Sequence, residues 1–330
     1  MKQTINDIRF EPVGEGIYLI ETYYIGKAGF ACCYVIVENN EVAIIETNTN
    51  HALPYILGTL NQLGIHSHQV KYVMLTHIHL DHAGGTGELM NHLPEAKLVV
   101  HPRGKKHMID PEKLIESVKQ VYGEDAYKDL YGEIVPVAKE RVITPGDGDT
   151  IRLSDRELVI LDTPGHAKHH LVIFDPKTAS LFSGDNFGIA YPRFTHGNTR
   201  LVFPSTSPTQ FEPDRALETY RRIIDLNPSQ ILLTHYGPLT HIHKAHDQLK
   251  AWIDFSVQMG QKYSAEGLRN HTLTLKLEDE LWNRLDATMT QMRGLPLTAE
   301  EREWLKIDTE LNAQGIAYYF DKPGNETNNK

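Results

Sequence analysis

The stretch Val73-Met74-Leu75-Thr76-His77-Ile78-His79-Leu80-Asp81-His82-Ala83-Gly84-Gly85 runs from apolar residues straight into three histidines and an aspartate, then a glycine pair. The apolar run at 72–75, bounded by turn residues, reads as a buried strand. His77 and His79 are two apart, so in extended backbone their imidazoles fall on one side. Asp81 and His82 follow as the chain turns toward a helix, where they can face a second point nearby. Neutral imidazole and carboxylate are ligands that Zn²⁺ and other first-row metals favour. A surface histidine run would sit in a polar low-complexity segment, whereas this one follows a hydrophobic strand. The cluster therefore reads as metal-binding, dense enough for two ions side by side.

Outward from it, composition narrows the function classes. The 330 residues suffice for a full core, with 40% hydrophobic and 23% charged residues, ordinary for a soluble globular protein. A formal charge of −10 without a basic run argues against a large nucleic-acid footprint. The two cysteines, Cys32 and Cys33, are neighbours in a strand-like run and point to opposite faces, so they read as buried free thiols. The N-terminus has no apolar signal core and no stretch approaches membrane-spanning length. A cytoplasmic protein with no membrane partner is expected.

Three later apolar strands also end in metal-ligand residue types. The run at 152–161 leads into Asp162-Thr163-Pro164-Gly165-His166, the run at 180–182 into Ser183-Gly184-Asp185, and the run at 230–233 into Thr234-His235-Tyr236-Gly237-Pro238. Before the opening motif, segments 16–22, 31–37 and 42–45 form a hairpin-rich antiparallel start, and Pro54 begins a helix that stops at Gly64. A helical insertion is expected from Asp110-Pro111 to Val137, and a helix over 213–226 with Leu217, Tyr220 and Ile224 on one face. Any one later residue is weak evidence. Their joint occurrence in this order is specific.

The His-x-His-x-Asp-His pattern, with His166, Asp185 and His235 following, resembles the signature of the metallo-β-lactamase superfamily over about residues 14–240. The segments 75–85, 101–104, 163–166 and 233–238 are similar to a prokaryotic subgroup of hydrolases related to glyoxalase II-type enzymes. The resemblance implies a four-layer α/β/β/α sandwich with a C-terminal helical appendage. It implies that His77, His79 and His166 hold a first metal, that Asp81, His82 and His235 hold a second, and that Asp185 bridges them. The two divalent ions are expected to be Zn²⁺, with iron or manganese as alternatives. Such ions, about 3.5–4 Å apart, share a hydroxide that attacks the scissile bond, and Asp81 is expected to carry the proton to the leaving group. One departure stands out: where the superfamily usually has Asp-Thr-Gly, this chain has Glu46-Thr47-Asn48.

Other histidines read differently. His169 and His170 suit contact with the ligands or the core more than ligation, and His241, His243 and His246 open a polar helix. The long loop from Asp185 to Pro213, rich in aromatics, is expected either to wall the pocket, with Tyr191 donating a hydrogen bond to a substrate carbonyl and Arg193 meeting an anionic group, or to use those aromatics only to pack the loop itself. Beyond residue 240 three helices follow. Stripes at Leu249, Trp252, Ile253 and Val257 and at Leu281, Leu285, Met289 and Met292 mark two of them. The third is opened by a Thr298/Glu301 capping box and stops at Gly315. The expected organisation is a catalytic domain over 1–240, a helical appendage over 241–320 acting as lid or dimer contact, and a polar tail over 321–330.

The expected activity is cleavage of an ester, thioester or lactone in a small-molecule substrate. A phosphodiester or RNA hydrolase is the second enzyme reading, disfavoured by acidity. A diiron oxygen- or nitric-oxide-binding redox protein is a reading from another class; its relatives usually have Glu where His79 stands. A regulatory effector with an idle site keeps the same ligands.

Overall fold

The structure is a computed structural model that describes residues 7–206 and 208–322, apart from the side chains of Val121, Tyr122 and Ala126. Positions 323–330 of the expected polar tail lie outside the described residues. The described chain forms two compact units, one comprising 7–162, 169–184 and 227–240, the other 163–168, 185–226 and 241–322.

The first unit holds both large sheets. Strands β1 (Phe10–Gly14), β2 (Ile17–Glu21), β3 (Cys32–Glu38), β4 (Glu41–Ile45), β5 (Val70–Met74), β6 (Lys97–Val99) and β7 (Val142–Ile143) form a sheet in that spatial order. The pairings are antiparallel through β4 and parallel from β4 to β7. Helices α1 (Leu53–Gln62), α2 (Leu80–Ala83), α3 (Thr86–His92), α4 (Lys105–Ile109), α5 (Glu112–Tyr122) and α6 (Glu124–Tyr131) connect them. The second sheet is built from β8 (Thr150–Leu153), β9 (Arg156–Asp162), β10 (Leu171–Asp175) and β11 (Ser180–Gly184); after a ribbon of the second unit, β12 (Thr195–His196) with β13 (Thr199–Arg200), come β14 (Gln230–Leu233) and β15 (Gly237–Leu239). Its order is β15-β14-β11-β10-β9-β8, with only β11 and β14 parallel.

Alternation along the strands separates two cores. Cys33, Val35, Ile44 and Val73 face Ile56, Leu60, Leu89 and Met108 of the helices. Their neighbours Cys32, Tyr34, Ile36, Ile45 and Met74 face Phe182, Ile160, Ile173 and Leu232 of the second sheet. Period-two side-chain direction is the cause. It also places the two buried cysteine thiols on opposite faces, unbridged. Burial pushes the Cys32 thiol up to about 12, which makes it a packing group more than a nucleophile.

The second unit carries α7 (Pro213–Asp225), α8 (Ile242–Ala265), α9 (Asn270–Arg293) and α10 (Ala299–Asp321). Leu249, Trp252 and Ile253 of α8, Leu277, Leu281 and Leu285 of α9 and Leu305, Ala313 and Ile316 of α10 are buried. The third helix does not stop at Gly315. Ile316 and Ala317 continue its buried stripe to Asp321, and that burial outweighs the roughly 1 kcal/mol cost of an interior glycine. At Gly260 of α8 an added Cβ would lie 2.0 Å from Phe320 Cε2, so the glycine admits the ring. Among the described residues no helix is long and apolar enough to cross a membrane.

Candidate metal centre

In the first unit, β5 ends at Met74, the chain bends at Thr76, and His79, in extended backbone, precedes the first turn of α2. His77 Nδ1 meets Thr76 Oγ1 at 3.1 Å, and His77 Nε2 lies 3.0 Å from His79 Nδ1. The rings of His77 and His82 are 4.0 Å apart between centroids. His235, just past β14, returns to the same place. Its Nε2 is 3.3 Å from Asp81 Oδ2, and His82 Nε2 is 3.7 Å from the same oxygen. Asp81, His82 and His235 thus offer three donor atoms within 4.8 Å of one another, a group able to hold a metal ion.

The other face of each ring is tied down. His235 Nδ1 donates to the Phe30 carbonyl at 2.9 Å, and the Phe30 ring stands edge-on to His235. His82 Nδ1 faces Glu46 Oε2 at 3.4 Å. The bond at His235 Nδ1 selects the tautomer whose Nε2 coordinates a metal. The donor set therefore fits a divalent transition ion.

Glu46 and Asn48, the departures from the expected Asp-Thr-Gly, have φ of +65° and +52°. Their loop wraps His82, whose carbonyl accepts from Thr47 N at 2.9 Å and Thr47 Oγ1 at 3.0 Å. Gly85 permits this approach, since a Cβ there would sit 2.8 Å from Thr49 O. His170 is fully buried and stacks on His77 at 4.8 Å, while His169 stands edge-on to His79 at 5.4 Å. His101 Nε2 contacts Asp162 Oδ1 at 3.1 Å; burial lowers its pKa against the opposing pull of Asp162. Among the described residues no three-donor group includes His241, His243 or His246.

His166 and Asp185 belong to the second unit, and within it they are neighbours, with His166 Nε2 3.5 Å from Asp185 Oδ2. His166 Nδ1 donates to the Ser205 carbonyl at 2.9 Å, the same arrangement as at His235. Asn186 holds this loop, accepting from His166 N at 3.2 Å and donating to the Thr163 carbonyl. At Gly165 a Cβ would be 2.6 Å from Ala216 Cα of α7, so only glycine fits before His166.

The long loop differs from expectation. It contains the β12–β13 ribbon, and its aromatics are buried within the second unit. Tyr191 is 0% exposed and its hydroxyl donates to Asp308 of α10 at 3.1 Å. Arg193 lies 4.3 Å over the Trp304 ring and pairs with Glu300 at 2.8 Å. Phe203, with Trp252, Leu281, Leu285 and Asn312, lines a pocket inside the helical unit. The cause is the apolar stripes of the three helices, which need a facing partner. Sequence reasoning missed the roles of Glu46, Phe30 and Asn186; only the Glu46 departure and the adjacency of Asn186 to Asp185 hinted at two of them.

A family model for the metallo-beta-lactamase superfamily matches residues 26–235. The chain is 24% identical to the uncharacterised protein YobT of Bacillus subtilis, over 62% of this chain and 82% of that one. It is 30% identical to the metallo-beta-lactamase fold-containing protein ST1585 of Sulfurisphaera tokodaii, over 51% and 61%. It is 26% identical to the hydroxyacylglutathione hydrolase of Salmonella typhi, over 55% and 58%. The match thus spans under two thirds of the length of the latter two. The solved structure of ST1585 superposes with a TM-score of 0.64 at 22% identity, covering 92% of this chain and 98% of that one, a likeness of fold.

Proposed function

Because the chain belongs to the metallo-β-lactamase superfamily, we propose that it is a dinuclear metal-dependent hydrolase of an ester, thioester or lactone. The observation that carries the reading is the paired treatment of the imidazoles. His235 and His166 each give Nδ1 to a backbone carbonyl, which directs Nε2 to coordination. In this reading His77, His79 and His166 hold one ion, Asp81, His82 and His235 the other, and Asp185 bridges the two. Bound there, two divalent ions would acidify water and polarise the scissile carbonyl. Asp81, 27% exposed at its side chain, is the acid–base group that takes the proton of the attacking water and passes it to the leaving group. The ions are proposed to be zinc, and the substrate a small molecule. The hydroxyacylglutathione hydrolase relatives favour thioesters within this class. The buried, unbridged cysteines suit a reducing compartment such as the cytoplasm.

A panel of thioesters, lactones, aryl esters and phosphodiesters tests this, run on metal-depleted and metal-reloaded protein with elemental analysis. Turnover of a thioester, lactone or ester that vanishes on depletion and returns on reloading is expected. Turnover of phosphodiesters alone, or hydrolysis indifferent to metal, sinks the reading.

A further inference from the structure

Strands β5 and β6 run parallel, so their carboxyl ends open on one edge of the first sheet. There β5 leads into His77 and His79, and β6 leads into His101-Pro102-Arg103-Gly104-Lys105-Lys106. The second segment is anchored at three points. His101 Nδ1 accepts the Arg103 N–H at 3.0 Å, which leaves Nε2 to donate to Asp162 Oδ1 at 3.1 Å. A Cβ at Gly104 would lie 2.8 Å from Ile78 Cγ2, so the backbone rests against the residue between His77 and His79. Met108 of α4 is buried in the core. The anchored segment carries three cations in four positions, in a chain of formal charge −10. Arg103 and Lys106 are exposed and Lys105 is half-buried. Among the described residues no carboxylate lies within 4.0 Å of any of the three, whereas Lys71 and Lys119 pair with Glu95 and Glu124.

We infer that residues 103–106 bind phosphate groups of the substrate, which makes that substrate a phosphate-bearing thioester. The inference rests on the hydrolase reading above and deepens it. Cations left without carboxylates beside the metal motif raise the local concentration of an anion. Arginine offers a planar fork to two phosphate oxygens, and lysine adds a point charge. Three such groups within four residues suit a ligand with several negative charges. A glutathionyl group, with two carboxylates and its own ammonium, carries a single net negative charge and suits them less.

The test compares the acetyl thioesters of coenzyme A, glutathione and uncharged N-acetylcysteamine on metal-loaded wild type, Arg103→Glu/Lys106→Glu and Lys139→Glu. Lys139 is exposed and precedes β7, which is parallel to β6, so it lies at the opposite edge of the same sheet. Wild type should favour the coenzyme A thioester in kcat/KM over the uncharged one. That ratio should fall roughly 10-fold or more in the double variant and hold in Lys139→Glu. Calorimetry on metal-depleted protein reads docking apart from turnover, with a sulfur-free analogue of coenzyme A as the probe. It should bind wild type and Lys139→Glu, bind the double variant roughly 10-fold or more weakly, and lose affinity between about 0.01 and 1 M salt, where the screening length shrinks from about 30 to 3 Å. Arg103→Gln/Lys106→Gln carries the test if the charge reversal fails to fold. A wild-type ratio near one, a preference for the glutathione thioester, or an equal fall in Lys139→Glu overturns the inference. Wild type that cleaves none of the three thioesters sinks the thioester reading, and the calorimetry then still decides whether residues 103–106 hold phosphate.

Discussion

The sheet unit and the helical unit bury polar side chains in contrasting ways. In the sheet unit, His235 gives one ring nitrogen to Phe30 O at 2.9 Å, and one ring nitrogen of His82 lies 3.4 Å from Glu46 Oε2. Their opposite nitrogens both approach the same Asp81 oxygen. In the helical unit, the polar groups where the long loop meets the helices pair with one another. Asn312 Oδ1 accepts the Thr206 N–H at 2.7 Å, and its Nδ2 donates to the Pro204 carbonyl at 2.9 Å. Tyr191 closes on Asp308 and Arg193 on Glu300. Side chains aimed at a shared point suit a bound cation. Side chains that satisfy each other staple a loop to helices.

The largest effect should come from removing a donor aimed at that shared point. His82→Ala and His235→Ala, like His166→Ala and Asp185→Ala, should reduce metal-dependent turnover by more than the roughly 10- to 100-fold typical of losing an outer partner of a metal ligand. Steady-state kinetics with bound-metal analysis checks this. Wild-type turnover in His235→Ala would remove the sheet unit's claim to the chemistry.

The same contrast explains what could be read from residues alone. The candidate donors were legible because each follows an apolar strand, and strand periodicity is a local signal; β14, for instance, runs Gln230–Leu233 as the pattern predicts, and His235 follows it. The loop Phe187–Phe203 left two readings open because its aromatics suit a ligand pocket and a packing interface equally well. Only tertiary contacts, such as Phe203 against Trp252 and Tyr191 against Trp304, decide between them. Gly315 misled for a related reason, since the stripe beyond it gains its burial from other helices. The partners of the ligands were illegible for a third reason. Phe30 acts through its carbonyl, a group every residue has.

Within the helical unit, Asn312→Ala should sharpen the comparison. It strands a buried N–H and a buried carbonyl, each costing about 1–3 kcal/mol, so a loss of about 2–4 kcal/mol is expected from denaturant unfolding followed by Trp fluorescence. A loss below about 0.5 kcal/mol would mean that the loop is not stapled there.

A smaller effect should appear with acid. The Arg293 guanidinium, reaching Glu301 with two contacts of 2.6 Å, holds that carboxyl down to about 2, helped by the Thr298 N–H and opposed by burial. The folded pKa lies below the ordinary value of 4.5, so the unfolded chain takes up the proton first. The contribution is therefore complete above about pH 4.5 and is lost as pH falls toward 2. Melting midpoints measured over that window should fall less steeply in Glu301→Gln than in wild type. Equal slopes would mean that the pair at the start of α10 contributes nothing.

The smallest effect is expected at Tyr191, and it tests the contrast most directly. Its hydroxyl donates to Asp308 within the helical unit, so Tyr191→Phe removes one hydrogen bond to a charged acceptor and leaves the ring packed against Phe203 and Trp304. A stability loss of about 1.5–3 kcal/mol should follow, with kcat changed by less than about twofold, because less than about 0.5 kcal/mol of barrier would be touched. If the hydroxyl instead served a substrate carbonyl in the transition state, kcat would fall roughly 100-fold or more with little change in stability. The two variants of the idea thus move different observables. A kcat collapse at an unchanged melting midpoint would return the loop to the chemistry and erase the division drawn between directed and self-satisfied polar groups.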